Sequence, residues 1–90
     1  MVNAAYAASL REKASLLPLS PGVYIMRGDG GKVIYVGKSK KLKNRVSQYF
    51  HETDFKSVKT DMMTSLVRDF EYIVCDTETE ALTLENSLIK

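Results

Sequence analysis

Gly22-Val23-Tyr24-Ile25-Met26-Arg27-Gly28-Asp29-Gly30-Gly31-Lys32-Val33-Ile34-Tyr35-Val36-Gly37 is the stretch that decides the fold. Two short runs of β-branched and aromatic residues flank a glycine-rich turn, the pattern of a β-hairpin. A two-residue Asp29-Gly30 connection sets Arg27 against Lys32, Ile25 against Ile34, and Tyr24 directly opposite Tyr35. Opposed residues share a face of the sheet, so the two phenols are expected side by side. A hairpin also pairs tyrosines for packing alone, and the residues that follow decide between packing and chemistry.

Those residues are basic. Lys38, Lys40, Lys41, Lys43 and Arg45 are five cations within eight positions. Together with Lys32 they place six basic residues and no acid between Gly30 and His51, so the net charge of +2 hides a segregation: the remaining seven basic and eleven acidic residues are net negative. Such a block concentrates positive potential and attracts a polyanion by counterion release. A solvated lysine-rich helix face is the commoner outcome for a charge run. Here the block abuts two phenols, which favours a functional surface.

Ninety residues make one small domain, which buries about 60% of its unfolded surface and has room only for a shallow, open groove. No apolar run approaches the ~18 residues of a membrane span, and the first twenty residues lack a signal-peptide core. No membrane partner and a cytoplasmic location are therefore expected. The single cysteine, Cys75, excludes an internal disulfide and reads as an inert core thiol; with a single histidine it cannot assemble a zinc site. Gly37-Lys38-Ser39 looks like the end of a phosphate-binding P-loop, but Lys32 stands where that pattern needs a glycine.

Around the hairpin the chain alternates helical and extended patterns. Asn3 to about Leu16 reads as a helix closed by Pro18 and Pro21. Gly37 is expected to end the second strand and Ser39 to cap a helix to about Phe50, with Leu42, Val46 and Phe50 inward and Lys41, Arg45 and Tyr49 on a neighbouring stripe. That stripe half anchors Arg45 on the core. His51 to Lys56 reads as a loop, and Ser57 to Asp69 as a helix with Val58, Met62, Leu66 and Val67 inward. Glu71 to Asp76 reads as a third strand, and Thr77 with Glu80 forms the capping box of a final helix.

That last helix holds the second informative residue. With Ala81 at the origin, Leu82, Leu88 and Ile89 fall at about 100°, 340° and 80°, and Glu85 at about 40°, inside their arc. A carboxylate on an apolar face needs a partner or an ion. A rim position paired with lysine and a metal site fit this placement equally well. The helix runs unfinished to Lys90, so residues 1–90 are expected to be a single domain cut from a longer multidomain protein.

Phosphodiester hydrolysis needs a proton acceptor for an attacking water, a cation on the nonbridging oxygens, and help for the leaving oxygen. Glu85 can hold one Mg²⁺ or Mn²⁺ whose other ligands are water and phosphate, and Arg45 can clamp the phosphate. A phenol needs nearby positive charge to act as base near neutral pH. Tyr24 and Tyr35 are both candidates, and Tyr35 is favoured because Lys38 follows it by three residues.

The ordered set Pro21-Gly22-Val23-Tyr24, Val33-Ile34-Tyr35-Val36-Gly37-Lys38-Ser39-Lys40-Lys41-Leu42-Lys43-Asn44-Arg45-Val46, Tyr49-Phe50, Glu80-Ala81-Leu82, Leu84-Glu85 and Leu88-Ile89-Lys90 resembles the GIY-YIG endonuclease domain that opens the C subunit of the bacterial UvrABC excision nuclease. Valine replaces the middle isoleucine of each triplet, a small apolar change. The resemblance implies an α+β fold, a small three-stranded antiparallel sheet surrounded by helices. It implies Glu85 as metal ligand, Arg45 as phosphate-stabilising cation, Tyr24 and Tyr35 beside the attacking water, and supporting roles for Gly37, Lys38 and Tyr49, with Gly22 a structural glycine of the first triplet. Lys32, Lys38, Lys40, Lys41, Lys43 and Arg45 are the expected DNA contacts. The implied activity is incision on the 3′ side of a lesion in nucleotide excision repair, with UvrA and UvrB as partners. A GIY-YIG repair or homing-type nuclease with other targeting, or a DNA-binding module without chemistry, are the alternatives.

Overall fold

A computed structural model describes residues 3–50 and 58–89, with side chains described up to Phe50 and again from Met62. The expected loop over residues 51–56, the start of the next helix at Ser57, the Val58 side chain and Lys90 lie outside what it describes. The elements run α1 (Ala4–Ser15), β1 (Gly22–Arg27), β2 (Val33–Ser39), α2 (Leu42–Phe50), α3 (Val58–Leu66), β3 (Asp69–Val74) and α4 (Glu78–Ile89). The strands form one antiparallel sheet in the order β2-β1-β3. This is the α+β arrangement expected from the sequence.

The central place of β1 explains its unbroken apolar run, because both of its faces are covered. On one face Tyr24 and Met26 join Leu10 and Leu17 from the α1 region with Leu42, Val46, Tyr49 and Phe50 of α2. On the other, Val23 and Ile25 pack with Cys75 and Ala81, supported by Val36 and Leu84. The Cys75 thiol is buried and pushed up by that burial, in keeping with an inert core thiol.

The hairpin register departs from expectation. Tyr24 pairs with Gly37 and Met26 with Tyr35, a shift of two positions. The connection is a 3₁₀ turn at Asp29–Gly31 with Gly30 and Gly31 at φ 70° and 78°, a left-handed backbone that glycine alone adopts freely. Arg68 draws Asp29 into an ion pair at 3.1 Å, and Arg27 Nη1 donates to the Gly31 carbonyl at 2.8 Å. The wider turn is thus held by one side chain beside it and one remote from it in sequence. Because the shift is even, Tyr24 and Tyr35 still share a face.

Three other boundaries differ. β2 runs on to Ser39, opposite Gly22; Ser39 Oγ accepts from the Lys41 amide, and α2 begins at Leu42, whose amide bonds to the Ser20 carbonyl. On α3 the inward residues are Thr64 and partly Met63, followed by Val67 just beyond the helix, while Met62 and Leu66 are 65% and 56% exposed. A buried threonine hides this face from any reading based on hydropathy. β3 starts at Asp69, two residues early, because Phe70 pairs with Met26 and stacks on Phe50 at 5.6 Å.

On α4 the Thr77 hydroxyl accepts from the Glu80 amide at 3.1 Å, but Glu80 reaches back to the amide of Asp76 rather than Thr77. Ala81 is buried and Leu84 and Glu85 are half-buried, whereas Leu82, Leu88 and Ile89 are exposed. The packed face is therefore rotated from the expected arc and centred on Ala81, which leaves Glu85 at its rim.

Gly37 is a point of close approach in the sheet. A Cβ at this position would overlap the ring and hydroxyl of Tyr24. Its backbone lies in the β ladder, so the requirement is space rather than conformation. Gly37→Ala is expected to cost about 1–3 kcal/mol of stability by overpacking, read from urea unfolding. A cost indistinguishable from zero would mean that Tyr24 does not rest on this glycine.

Candidate active site

Three tyrosines from three elements meet on the α2 side of the sheet. The Tyr24 and Tyr35 ring centroids are 6.0 Å apart, Tyr24 and Tyr49 5.7 Å, and Tyr35 and Tyr49 6.3 Å. Tyr24 and Tyr49 share a hydroxyl–hydroxyl bond of 2.9 Å. Arg45, one turn before Tyr49 on α2, lies with Cζ 5.6 Å from the Tyr49 ring centroid, and its charge interacts with the Tyr24 phenol. The stripe Lys41–Arg45–Tyr49 explains this: α2 buries Leu42, Val46, Tyr49 and Phe50, and Arg45 falls on the margin of that face. Arg45 is exposed, and what anchors its guanidinium is the Tyr49 ring.

Burial is the main reason the Tyr24 phenol is pushed far above its ordinary value; its bond to Tyr49 adds to this, and its bond to Arg45 opposes it. Tyr35 is also raised, again chiefly by burial and then by Tyr49, with Arg45 and a bond from Tyr24 pulling the other way. The two differ in access. Tyr24 is wholly buried and engaged with Tyr49, while Tyr35 is 40% exposed on the outer strand. Tyr35 is thus the phenol of this pair that faces solvent.

Lys38 does not join this cluster. It pairs with Val23, whose side chain packs on the α4 side, so a spacing of three from Tyr35 puts it on the opposite face of the strand. The cation acting on Tyr35 is Arg45 instead. Lys38 shares its side of the sheet with α4 and hence with Glu85, which sits on the stripe Ala81–Leu84–Glu85 that packs toward β1 and β2. The expected residues are therefore split. Tyr24, Tyr35, Tyr49 and Arg45 lie on one side of outer strand β2, with Lys38 and Glu85 on the other.

Gly22 and Gly37 both serve close approach. A Cβ on Gly22 would overlap the Ile73 carbonyl and the Leu42 side chain, which seats α2 against the start of β1. Of the basic block, Lys32 stands at the far turn, Lys41 is exposed, Lys43 is half-buried, and Lys40 lies 3.6 Å from Glu78. Exposed pairs of this kind are weak. The amides of Leu42 and Lys43 at the start of α2 are bonded to the Ser20 and Pro18 carbonyls, so phosphate contacts here fall to side chains.

Among known families, the model of the UvrC-like GIY-YIG domain matches residues 20–90. The chain belongs to the UvrC-like GIY-YIG domain family. UvrABC system protein C of Caldanaerobacter subterraneus is 59% identical over 81 residues, 90% of this chain and 13% of that protein. The homologue from Caldicellulosiruptor saccharolyticus is 56% identical over 82 residues, 91% of this chain and 14% of that one. The chain thus spans a small fraction of the curated relatives it matches. The N-terminal GIY-YIG endonuclease domain of UvrC from Thermotoga maritima, solved with its catalytic magnesium, superimposes with a TM-score of 0.78 at 37% identity, covering 90% of this chain and 86% of that one. Tyrosine-to-phenylalanine mutants of that domain were also solved with the catalytic cation.

Within this UvrC-type GIY-YIG domain the hydroxyl pair Tyr24–Tyr49 is the feature that sequence reading missed; the spacing of Arg45 and Tyr49 on one stripe was its only trace. A phenol held above its usual value ionises tenfold more with each pH unit until that value is reached. If Tyr35 accepts the proton of the attacking water, the single-turnover incision rate in Mg²⁺ rises with a log slope near one from about pH 6 to 9, and Tyr35→Phe abolishes the rise. A plateau by pH 7 in the unsubstituted domain would exclude the phenol as base.

Proposed function

We propose that this domain is the magnesium- or manganese-dependent DNA endonuclease module of a UvrC-type protein, hydrolysing a phosphodiester on the 3′ side of a lesion in concert with UvrA and UvrB. Family membership makes it an endonuclease domain. The lesion side, the partners and the residue roles are inferences from the likeness and the geometry. The observation that carries the residue roles is the gathering of two further phenols and one guanidinium around the wholly buried Tyr24.

Glu85 is the residue that would hold the metal. It is half-buried on the packed stripe of α4, and no cation pairs with it among the described residues. No group of three or more His, Cys, Asp or Glu side chains among the described residues could hold an ion. One carboxylate with water and phosphate suits magnesium, which dehydrates reluctantly and needs only one or two protein oxygens. The bound ion would neutralise phosphate charge and acidify water.

The chain's own residues divide the remaining work. Tyr35 accepts a proton from, or orients, the water attacking phosphorus. The Tyr24–Tyr49 pair fixes the phenol cluster and, through the Tyr49 ring, the Arg45 guanidinium, which donates to a nonbridging oxygen as charge builds there. Lys38 approaches from the α4 side, where it can stabilise the leaving oxygen. Lys40, Lys41 and Lys43 grip flanking phosphates without reading bases, and Lys32 can reach a more distant one. The scissile phosphate then lies at the outer edge of β2, where the two groups of residues meet. Among the described residues no helix is long and apolar enough to cross a membrane.

Single-turnover incision of a lesion-bearing duplex in Mg²⁺ tests this reading. Glu85→Gln and Arg45→Ala are each expected to slow incision by about 10²–10³ with DNA binding largely kept. Lys41→Ala should instead weaken binding and reduce the salt slope by about one unit. Incision by Glu85→Gln at the unsubstituted rate would overturn the assignment.

A further inference from the structure

α2 carries two site residues, Arg45 and Tyr49, on only nine residues, a length that is marginal as an isolated helix. Its position therefore comes from outside. At its start the Leu42 and Lys43 amides bond to the Ser20 and Pro18 carbonyls at 3.0 and 3.2 Å. At its end the Arg11 Nε of α1 donates to the Phe50 carbonyl at 2.7 Å, a bond across 39 positions of sequence. The last carbonyls of a helix lack partners within it. A guanidinium there makes a charge-assisted bond at the negative end of the helix dipole.

The residue before Phe50 is Tyr49, whose hydroxyl meets Tyr24 at 2.9 Å. The apolar stripe of α2, with Phe50 stacked on Phe70, seats the helix against the sheet, and the Arg11 bond adds a directional tie at its final turn. A roll that moves the Tyr49 hydroxyl by an ångström breaks its bond to Tyr24, and misplacement on that scale costs roughly a hundredfold in rate when it reaches reacting groups.

We propose that Arg11 is a positioning residue for the reaction. By clamping the Phe50 carbonyl it holds Tyr49 against Tyr24 and beneath the Arg45 guanidinium. Arg11 acts through the backbone of α2. The kinetic consequence rests on the nuclease reading above, but the positioning itself does not.

Two measurements separate these. In the first, the hydroxyl-proton resonances of Tyr24 and Tyr49 are followed by NMR in the unsubstituted chain, Arg11→Met and Arg11→Lys. Methionine keeps an aliphatic stem so that the fold is preserved. The resonance of the buried pair is expected to be lost to solvent exchange in Arg11→Met and recovered in Arg11→Lys. In the second, single-turnover incision is expected to fall about tenfold in Arg11→Met with DNA affinity unchanged. The loss should not add to that of Tyr49→Phe, since both remove the same contact. A hydroxyl resonance that persists unchanged in Arg11→Met would overturn the proposal whatever happens to incision. So would a loss of rate fully additive with Tyr49→Phe. An altered resonance in a chain that cuts no DNA at all would uphold the positioning and count against the nuclease reading.

Discussion

The contact between the Tyr24 ring and the backbone of Gly37 is the constraint on which the site depends. It lets a large aromatic on the central strand lie toward the outer one, wholly buried, with its hydroxyl carried to Tyr49, the ring on which Arg45 rests. Any side chain at Gly37 would push the ring outward and break that reach. Gly22 plays the matching part at the start of β1, where Leu42 and the Ile73 carbonyl close in. The two glycines thus bring α2 and the hairpin close enough for phenols from three elements to touch.

From this follows a division of labour between the faces of β2. One side is a hydrogen-bonded cluster in which burial raises the Tyr24 and Tyr35 phenols above their ordinary value. The other offers a lysine and a lone half-buried carboxylate. On the proposed reading, a phosphate at the edge between them would meet hydrogen-bond donors and acceptors from one side and cationic stabilisation from the other. A domain too small for a deep cavity would then use both faces of one exposed strand.

Much of this was legible in the sequence, for identifiable reasons. The hairpin, the basic block and the third strand follow from β-branched runs, glycines and charge spacing, and the even period of a strand kept Tyr24 and Tyr35 together even though the register was two positions off. The register itself was hidden because Gly28, Gly30 and Gly31 permit several turns, and the one adopted is selected by Arg68 and Arg27. The same period-two rule shows why Lys38 cannot lie beside Tyr35, so the preference for Tyr35 rests on its exposure instead. Helix faces were the weakest part. Thr64 is buried while Met62 and Leu66 are not, and Leu82 and Ile89 point outward, because hydropathy marks what can be buried and packing geometry decides what is. Glu85 kept its place on the packed stripe of α4, though at its rim.

The central claim is that one carboxylate on α4 and the phenol–guanidinium cluster serve one metal-dependent site. Anomalous diffraction from crystals soaked in Mn²⁺, comparing the unsubstituted chain with Glu85→Gln, tests it without requiring turnover. A manganese peak at Glu85 beside the edge of β2, lost in the variant, is the predicted result. A peak that persists in Glu85→Gln, or one remote from both Glu85 and the tyrosines, would contradict the account.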